Sequence, residues 1–118
     1  MLPAPHRLSA TRDIERVAKT GKYASTPAMV VRVAKGGGVT RAAVVAGLKV
    51  HKSSVQRNLV KRRIREALRE MIKEIVPGID LVVVARSGSV GKSYADLGNE
   101  LYGGLLRLGV IHKKAKSG

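Results

Sequence analysis

The fold is decided by residues 55–76, "VQRNLVKRRIREALREMIKEIV", a stretch that ends at Pro77-Gly78. On a helix that turns by about 100° per residue, its side chains divide into three faces. The apolar face consists of Val60, Ile64, Ala67, Leu68, Met71, Ile72 and Ile75. The basic face consists of Asn58, Lys61, Arg62, Arg65, Arg69 and Lys73, and the acidic face of Glu66, Glu70 and Glu74. The pattern predicts a long helix that packs on a sheet through its apolar face.

The basic face of this helix predicts a negatively charged partner. Like-charged side chains four residues apart, such as Lys61 and Arg65, cost roughly 0.2–0.5 kcal/mol per pair. Phosphate groups would offset this cost, because arginine forks bind phosphate oxygens bidentately. The alternative is an ordinary solvated helix, which accounts for any one of these residues but accounts poorly for the whole block.

The composition also favours nucleic acid. The 118 residues include 23 Lys and Arg against 8 Asp and Glu, a net charge of +15. Such an excess repels itself in a small fold unless a polyanion neutralises it. The sequence contains no zinc-finger pattern, no helix-turn-helix pair and no aromatic RNP motif. Recognition of shape and phosphate, which suits structured RNA, is therefore favoured over the reading of bases.

Three apolar segments predict the strands of the sheet. They are "AMVVRVAK" from Ala28, "AAVVAGL" from Ala42 and "IDLVVVA" from Ile79. The glycine-rich "KGGGVTR" between the first two predicts that they form a hairpin, and its glycines are a turn rather than a phosphate cradle. The third segment is apolar almost throughout, which predicts burial on both faces.

Two further helices are predicted near the ends of the chain. "LSATRDIERVAKTGK" predicts a helix with Ser9 as its N-cap and Gly21 at its C-cap. "SYADLGNELYGGLLRLGVI" carries leucines at helical spacing. Together these elements predict an α/β (α+β) fold with helices packed on a small sheet, as one domain over residues 1–111. Residues 112–118, "HKKAKSG", are predicted to be a disordered basic tail.

Several kinds of chemistry are excluded by what the sequence lacks. Without cysteine there is no disulfide, thiol nucleophile or cysteine-type zinc site. His6, His51 and His112 form no ligand pattern, and no spacing of carboxylates suggests a nuclease centre, so we expect no catalytic or metal-binding residue. No apolar run approaches the roughly 18 residues of a membrane span. We expect a cytoplasmic protein that has no membrane partner.

One stretch imitates a nucleotide site. Residues 82–93, "VVVARSGSVGKS", end in the Gly-Lys-Ser of a phosphate-binding loop. The motif requires a glycine where the chain has Arg86, and no apolar strand ends in an aspartate that could hold Mg²⁺. We therefore expect a polar turn before the last helix, and no nucleoside triphosphate as a partner.

At residues 57–65, "RNLVKRRIR", the sequence resembles the bacterial ribonuclease P protein family, whose long helix carries an Arg-Asn-Arg, Lys-Arg and Arg signature. The resemblance covers nearly the whole chain. "HRLSATRDIERVAKTGK" is similar to the family's opening Arg-Leu, helix and glycine, and "AGLKVHKSSVQRN" to its strand and basic lead-in. "GIDLVVVARSGSVGKSYADLGNELYGGLLRL" is similar to its last strand, Ala-Arg turn and closing helix.

The resemblance implies a two-layer α/β sandwich whose small mixed sheet has about four strands, with a left-handed βαβ crossover around the signature helix. It implies a protein subunit of an endoribonuclease in which a catalytic RNA, with bound Mg²⁺, removes the 5′ leader of precursor tRNA. The two RNA partners are then the catalytic ribonuclease P RNA and precursor tRNA. The expected RNA-binding residues are Arg57, Asn58, Lys61, Arg62 and Arg65, to which the basic face adds Arg69.

The chain departs from the family pattern in two places. The second signature arginine is Leu59, and the positions that correspond to the family's aromatic leader cleft are Ile14, Ala18, Met29 and Arg32. Base stacking is worth roughly 1–3 kcal/mol per base, so we expect the leader to be held by phosphate contacts, including Arg32, and by apolar contact. For Ile14 and Met29 the alternative is plain core packing. A standalone RNA-binding module and a small nucleotide hydrolase are the competing functions.

Overall fold

The computed structural model of the protein describes residues 6–8 and 10–111. The elements in chain order are α1 (Thr11–Thr20), β1 (Lys22–Ser25), β2 (Met29–Lys35), β3 (Arg41–Val45), α2 (Ser54–Met71), β4 (Ile79–Ala85) and α3 (Tyr94–Leu108). Short 3-10 turns follow α2 and β4, at Ile72–Glu74 and Ser87–Ser89. The predicted N-cap Ser9 and the predicted tail at 112–118 lie outside the described residues.

The four strands form one mixed sheet in the order β1-β2-β4-β3. β1 pairs with β2 and β2 pairs with β4 in antiparallel fashion, whereas β3 and β4 are parallel neighbours joined through α2. The α+β architecture with about four strands is thus confirmed, and the left-handed sense of the β3-α2-β4 crossover stays a prediction.

The predicted hairpin of β2 and β3 is wrong, because β4 lies between these two strands. Val83 of β4 pairs with Val31 on one side and with Val44 on the other. β4 is the strand with the most continuous apolar run, and Leu81 to Val83 are at most 2% exposed. A central position buries both faces and both edges of such a strand. The glycine-rich link therefore spans the width of β4 instead of closing a tight turn.

β1 was not predicted as a strand, although it forms the hairpin that the sheet does contain. It has only four residues, and only Ala24 among them is buried. The turn into β2 is held by Thr26, whose side-chain oxygen accepts hydrogen bonds from the backbone N–H groups of Ala28 (3.2 Å) and Met29 (3.1 Å). A strand of four residues with one buried side chain shows almost no alternation of apolar and polar residues, so the sequence did not reveal it.

The main core lies between the sheet and the α2/α3 layer. The apolar face predicted for α2 is confirmed, because its residues Val60, Ile64, Ala67 and Leu68 are buried. Met29, Val31, Val33, Leu81 and Val83 meet them from the sheet. The opposite face of the sheet carries α1 and a smaller apolar cluster, in which Leu8, Val17 and Val82 are buried.

Gly21 ends α1 as predicted, but not for the usual reason of a left-handed backbone. Its φ is −81°, and its N–H donates to the carbonyl oxygen of Val17 at 3.0 Å. A Cβ on Gly21 would lie 2.3 Å from the carbonyl oxygen of Val33. The glycine is therefore needed because α1 and β2 approach each other closely at this point. Among the described residues, no helix is long and apolar enough to cross a membrane.

Candidate nucleic-acid interface

The basic face of α2 forms a row of cations along the surface. Asn58, Arg62 and Arg69 are exposed, and Lys61 and Arg65 are half-buried. A shallow hollow of about 360 Å³ opens on this row; its lining residues are Asn58, Arg62, Arg65 and Glu66. Two guanidinium groups and an amide around such a hollow can donate hydrogen bonds to a phosphate group.

Two arginines of the signature block are engaged within the protein. The Nη1 of Arg57 donates to the carbonyl oxygens of His51 (2.9 Å) and Lys52 (2.8 Å), and so holds the loop before α2. The Nη1 of Arg63 donates to the carbonyl oxygen of Lys92 at 2.7 Å, and so ties α2 to the turn before α3. Arg57 therefore has a structural role beside the RNA contact that was predicted for it, and Arg63 explains why this helix carries a further basic residue.

The second predicted surface is the cleft between α1 and the sheet, and the structure brings three of its four predicted residues to one face. Ile14 is half-buried against the cluster under α1, and Ala18 is exposed. Arg32 of β2 lies beside them, and its Nη1 donates to the carbonyl oxygen of Ala18 at 3.3 Å. Ile14 thus combines core packing with a position at the cleft.

Met29 was predicted as a cleft residue, and this prediction is wrong. It is fully buried in the core on the opposite face of the sheet. Side chains alternate along a strand, so residues three apart, such as Met29 and Arg32, must point to opposite faces. The alternation in β2 places Val30, Arg32 and Ala34 toward α1, and this could have been read from the sequence.

The cleft contains an aromatic residue that the sequence did not reveal. Tyr23 of β1 pairs with Arg32 of β2, and the Arg32 guanidinium carbon lies 5.1 Å from the centre of the Tyr23 ring. The Tyr23 side chain is 62% exposed. An exposed ring next to a guanidinium group offers a base both a stacking surface and a cation. Tyr23 could have been assigned to the cleft from the sequence if β1 had been predicted as a strand.

A larger hollow, of about 540 Å³, lies at the carboxyl ends of β3 and β4. Its lining combines apolar side chains, including Val45, Val84 and the 74% exposed Leu48, with the cations Lys49 and Arg86. The Nη1 of Arg86 donates to Ser25 Oγ at 2.9 Å, which fixes Arg86 near β1. The hollow includes Lys49 and Val50 of the loop before α2, and its Val84 pairs with Val30 of β2, two residues before Arg32.

Beneath α1, a buried carboxylate joins three elements. Asp80 of β4 is fully buried and accepts two hydrogen bonds from Arg41 of β3, from Nε to Oδ1 (3.0 Å) and from Nη2 to Oδ2 (2.8 Å). Arg16 of α1 donates to Oδ2 as well. Burial alone would raise the pKa of the Asp80 carboxyl, but the hydrogen bonds and charges of Arg41 and Arg16 outweigh it and lower the pKa below 3.8.

The comparisons with known proteins agree with this geometry. The family model described as Ribonuclease P matches residues 2–109. The chain belongs to the ribonuclease P protein family. The ribonuclease P protein component of Picosynechococcus sp. is 32% identical over 112 residues, which cover 94% of this chain and 97% of that protein. The corresponding protein of Brevibacillus brevis is 41% identical over 86 residues, 70% of this chain and 67% of its own.

The solved structures of ribonuclease P proteins show the same fold. The RNase P protein from Staphylococcus aureus superposes with a TM-score of 0.79 at 25% identity, covering 98% of this chain and 99% of that one. As a ribonuclease P protein, the chain is a component of an endoribonuclease ribonucleoprotein that forms the 5′ ends of tRNA. The family membership excludes the standalone module and the nucleotide hydrolase as the principal function.

In this ribonuclease P protein the Gly-Lys-Ser stretch is a structural turn. Lys92 Nζ lies 3.5 Å from Glu100 Oε2, and Ser93 Oγ accepts a hydrogen bond from the Asp96 N–H at 3.1 Å as the N-cap of α3. The groups that a phosphate-binding loop would offer to a nucleotide thus hold α3 in place. Within residues 6–8 and 10–111, no group of three or more His, Cys, Asp or Glu side chains could hold a metal ion.

Proposed function

We propose that the chain binds the catalytic ribonuclease P RNA through the basic face of α2 and the 5′ leader of precursor tRNA in the cleft between α1 and the sheet. The observation that carries this is the register of the sheet. Val84 lines the hollow at the carboxyl ends of β3 and β4 and pairs with Val30, two residues before Arg32 on β2. The same hollow is lined by Lys49 and Val50, which belong to the loop that Arg57 holds before α2. This arrangement supports a path for RNA from the cleft to the end of the signature helix.

The catalytic RNA is held chiefly through its phosphates in this proposal. Asn58, Lys61, Arg62, Arg65 and Arg69 supply the contacts, because they share one face of α2. Each cation that neutralises a phosphate releases a counterion, so binding weakens as salt rises. Leu59 is half-buried and apolar, so the contact of the second signature arginine is missing, and its neighbours carry the interaction.

The leader is held by a combination of stacking and charge. Tyr23 and Arg32 take one base and its phosphate at the cleft, and Ile14 adds apolar contact from α1. Lys49 and Arg86 meet the backbone where the hollow begins. The protein thereby extends the substrate-binding surface of the ribonucleoprotein beyond the mature tRNA.

Hydrolysis of the phosphodiester is assigned to the RNA, which binds the Mg²⁺ ions. The protein offers poor material for a metal site, because Asp13 and Asp80 face arginines and Glu100 faces Lys92. The chain's own residues bind and orient RNA, and none of them takes part in bond cleavage. Its location in the cytoplasm also belongs to this proposal.

The leader contact is tested by the affinity of the reconstituted holoenzyme for precursor and mature tRNA over a range of salt concentrations. We expect tighter binding of the precursor, with an advantage that shrinks as salt rises, because Arg32, Lys49 and Arg86 act on phosphates. Equal affinity for both tRNAs at every salt concentration would show that the protein does not hold the leader.

A further inference from the structure

Helix α1, which forms one wall of the cleft, has little apolar packing of its own. Among residues 11–19 of α1, only Val17 is fully buried, and the cluster beneath the helix is completed by Leu8 and Val82, with the partly buried Ile14 packed against it. A helix of this length does not hold its structure without tertiary contacts. Polar contacts therefore contribute to what fixes α1 on the sheet.

Those polar contacts converge on Arg16. Its Nη2 donates to Asp80 Oδ2 in β4, and its Nη1 donates to the carbonyl oxygen of Lys35 at the end of β2 (2.9 Å). Asp13, one turn earlier on α1, lies 3.7 Å from Arg41 Nη2. One guanidinium group thus ties the helix to two strands at once.

The other end of this contact is built to be rigid. Asp80 is fully buried, and Arg41 holds both of its oxygens from β3. Gly36 closes the chain over the carboxylate, since a Cβ at this position would lie 2.5 Å from Asp80 Cγ. The carboxylate therefore cannot follow α1 if the helix shifts.

Arg16 lies half a turn before Ala18, whose carbonyl oxygen receives the hydrogen bond from Arg32 in the cleft. A small rotation or tilt of α1 about the Arg16 contact thus changes the spacing between Ala18 and the Tyr23–Arg32 pair. We propose that Arg16 and Asp80 are positioning residues that set the width of the leader cleft. This inference rests on the proposed function, because it presumes that the leader lies against α1.

The test uses Arg16→Gln, which leaves Asp80 paired with Arg41 and so preserves the fold. The matched control is Arg12→Gln, which removes the same charge from an exposed site on the same helix. Holoenzymes are reconstituted with a bacterial ribonuclease P RNA, and affinities for precursor and mature tRNA are measured. We expect Arg16→Gln to weaken precursor binding about five- to tenfold and to leave mature tRNA unchanged. Arg12→Gln should stay within about twofold of wild type.

Two results would overturn the proposal. One is an equal effect of Arg16→Gln and Arg12→Gln on precursor binding, which would mean that Arg16 acts only through its charge. The other is an equal loss for precursor and mature tRNA, which would mean that the leader is not involved. Hydrogen exchange on the free protein gives a second readout. Faster exchange confined to α1 supports positioning, and faster exchange that extends to α2 and β4 contradicts it by showing a general loss of stability.

Failure of this inference is separable from failure of the proposed function. The double variant Tyr23→Ala/Arg32→Gln removes the cleft's aromatic and cationic groups without touching the Arg16 contact. If this variant leaves the preference for precursor intact, the leader does not lie in the cleft and the proposed function fails. If it abolishes the preference while Arg16→Gln does not, only the positioning role of Arg16 fails.

Discussion

Tyr23 and Arg32 face each other across the β1–β2 ladder, with the guanidinium carbon 5.1 Å from the ring centre. The family resemblance implies aromatic residues in the cleft at positions where this chain has Ile14, Ala18, Met29 and Arg32. The structure supplies a ring from β1 instead, on the same face of the sheet. A stacking surface is therefore present in the cleft although the expected positions lack one.

Tyr23→Ala should weaken the binding of precursor tRNA by about 1–3 kcal/mol, because one stacking surface is lost. Tyr23→Phe should bind almost as wild type, since the ring is kept. The measurement is the holoenzyme affinity for precursor and mature tRNA. Tyr94→Ala, which removes another partly exposed tyrosine from α3, serves as the control and should leave the preference for precursor unchanged. A Tyr94 effect as large as that of Tyr23 would speak against stacking in the cleft.

Arg62→Gln and Arg65→Gln should each weaken binding of the catalytic RNA. Each should also make the fall of log affinity with log salt concentration less steep, by about one in the slope. The reason is that each removes one phosphate contact from the basic face of α2. Filter binding or fluorescence titration over a salt series measures both quantities. Arg12 lies on α1, which packs on the opposite face of the sheet from α2, so Arg12→Gln is the control for the loss of charge alone. An unchanged slope in the α2 variants would contradict their assignment as phosphate contacts.

Asp80→Asn should destabilise the protein by about 1–3 kcal/mol, because it leaves the partly exposed guanidinium groups of Arg41 and Arg16 with only the more distant carboxylate of Asp13. Urea or thermal unfolding measures the loss. Asp96→Asn, which changes an exposed carboxylate in the first turn of α3, should cost less than about 1 kcal/mol. Equal losses in the two variants would refute the structural importance of the buried cluster.

The same cluster predicts how stability depends on acid. The pKa of Asp80 in the folded protein lies below its ordinary value of 3.8, so its contribution is complete above that value and is lost as pH falls below it. Unfolding measured from neutral pH down to about pH 2 should show a loss of stability below about pH 4 that is smaller in Asp80→Asn. Parallel curves for the two proteins would show that Asp80 does not titrate in this way.

Two glycines allow a matched test of the packing at α1. Gly21→Ala should destabilise the fold by about 1–3 kcal/mol, because its Cβ would lie 2.3 Å from the carbonyl oxygen of Val33. Gly103→Ala, in α3 with no atom near the added Cβ, should instead stabilise by about 0.5–1 kcal/mol. Thermal unfolding measures the change in stability for both variants. If Gly21→Ala left the stability unchanged, α1 and β2 would not be as close as described.

The parts of the fold that depend on local pattern could be predicted from the sequence. The three faces of α2, the three longer strands and the end of α1 at Gly21 follow from periodicity and capping. The partners of the strands could not be predicted, because pairing is a long-range choice. The central place of β4 is decided by how much apolar surface it can bury, and the glycines of the link only permit it.

The candidate site shows the same division. The basic face of α2 is a property of one helix and was visible in the sequence. The cleft is assembled from α1, β1 and β2, so Tyr23 was missed along with its strand. Met29 was assigned to the wrong face because the strand alternation was not applied. Arg16 and Asp80 are 64 residues apart, and no local pattern relates them.

The central claim is that this chain assists an RNA catalyst in removing the precursor leader. The most direct test is cleavage of precursor tRNA by a bacterial ribonuclease P RNA at a Mg²⁺ concentration too low for the RNA alone, with and without this protein. We predict that the protein restores cleavage at the mature 5′ end. Binding of the protein to the RNA without any restored cleavage would contradict the account and would leave a module that only binds RNA.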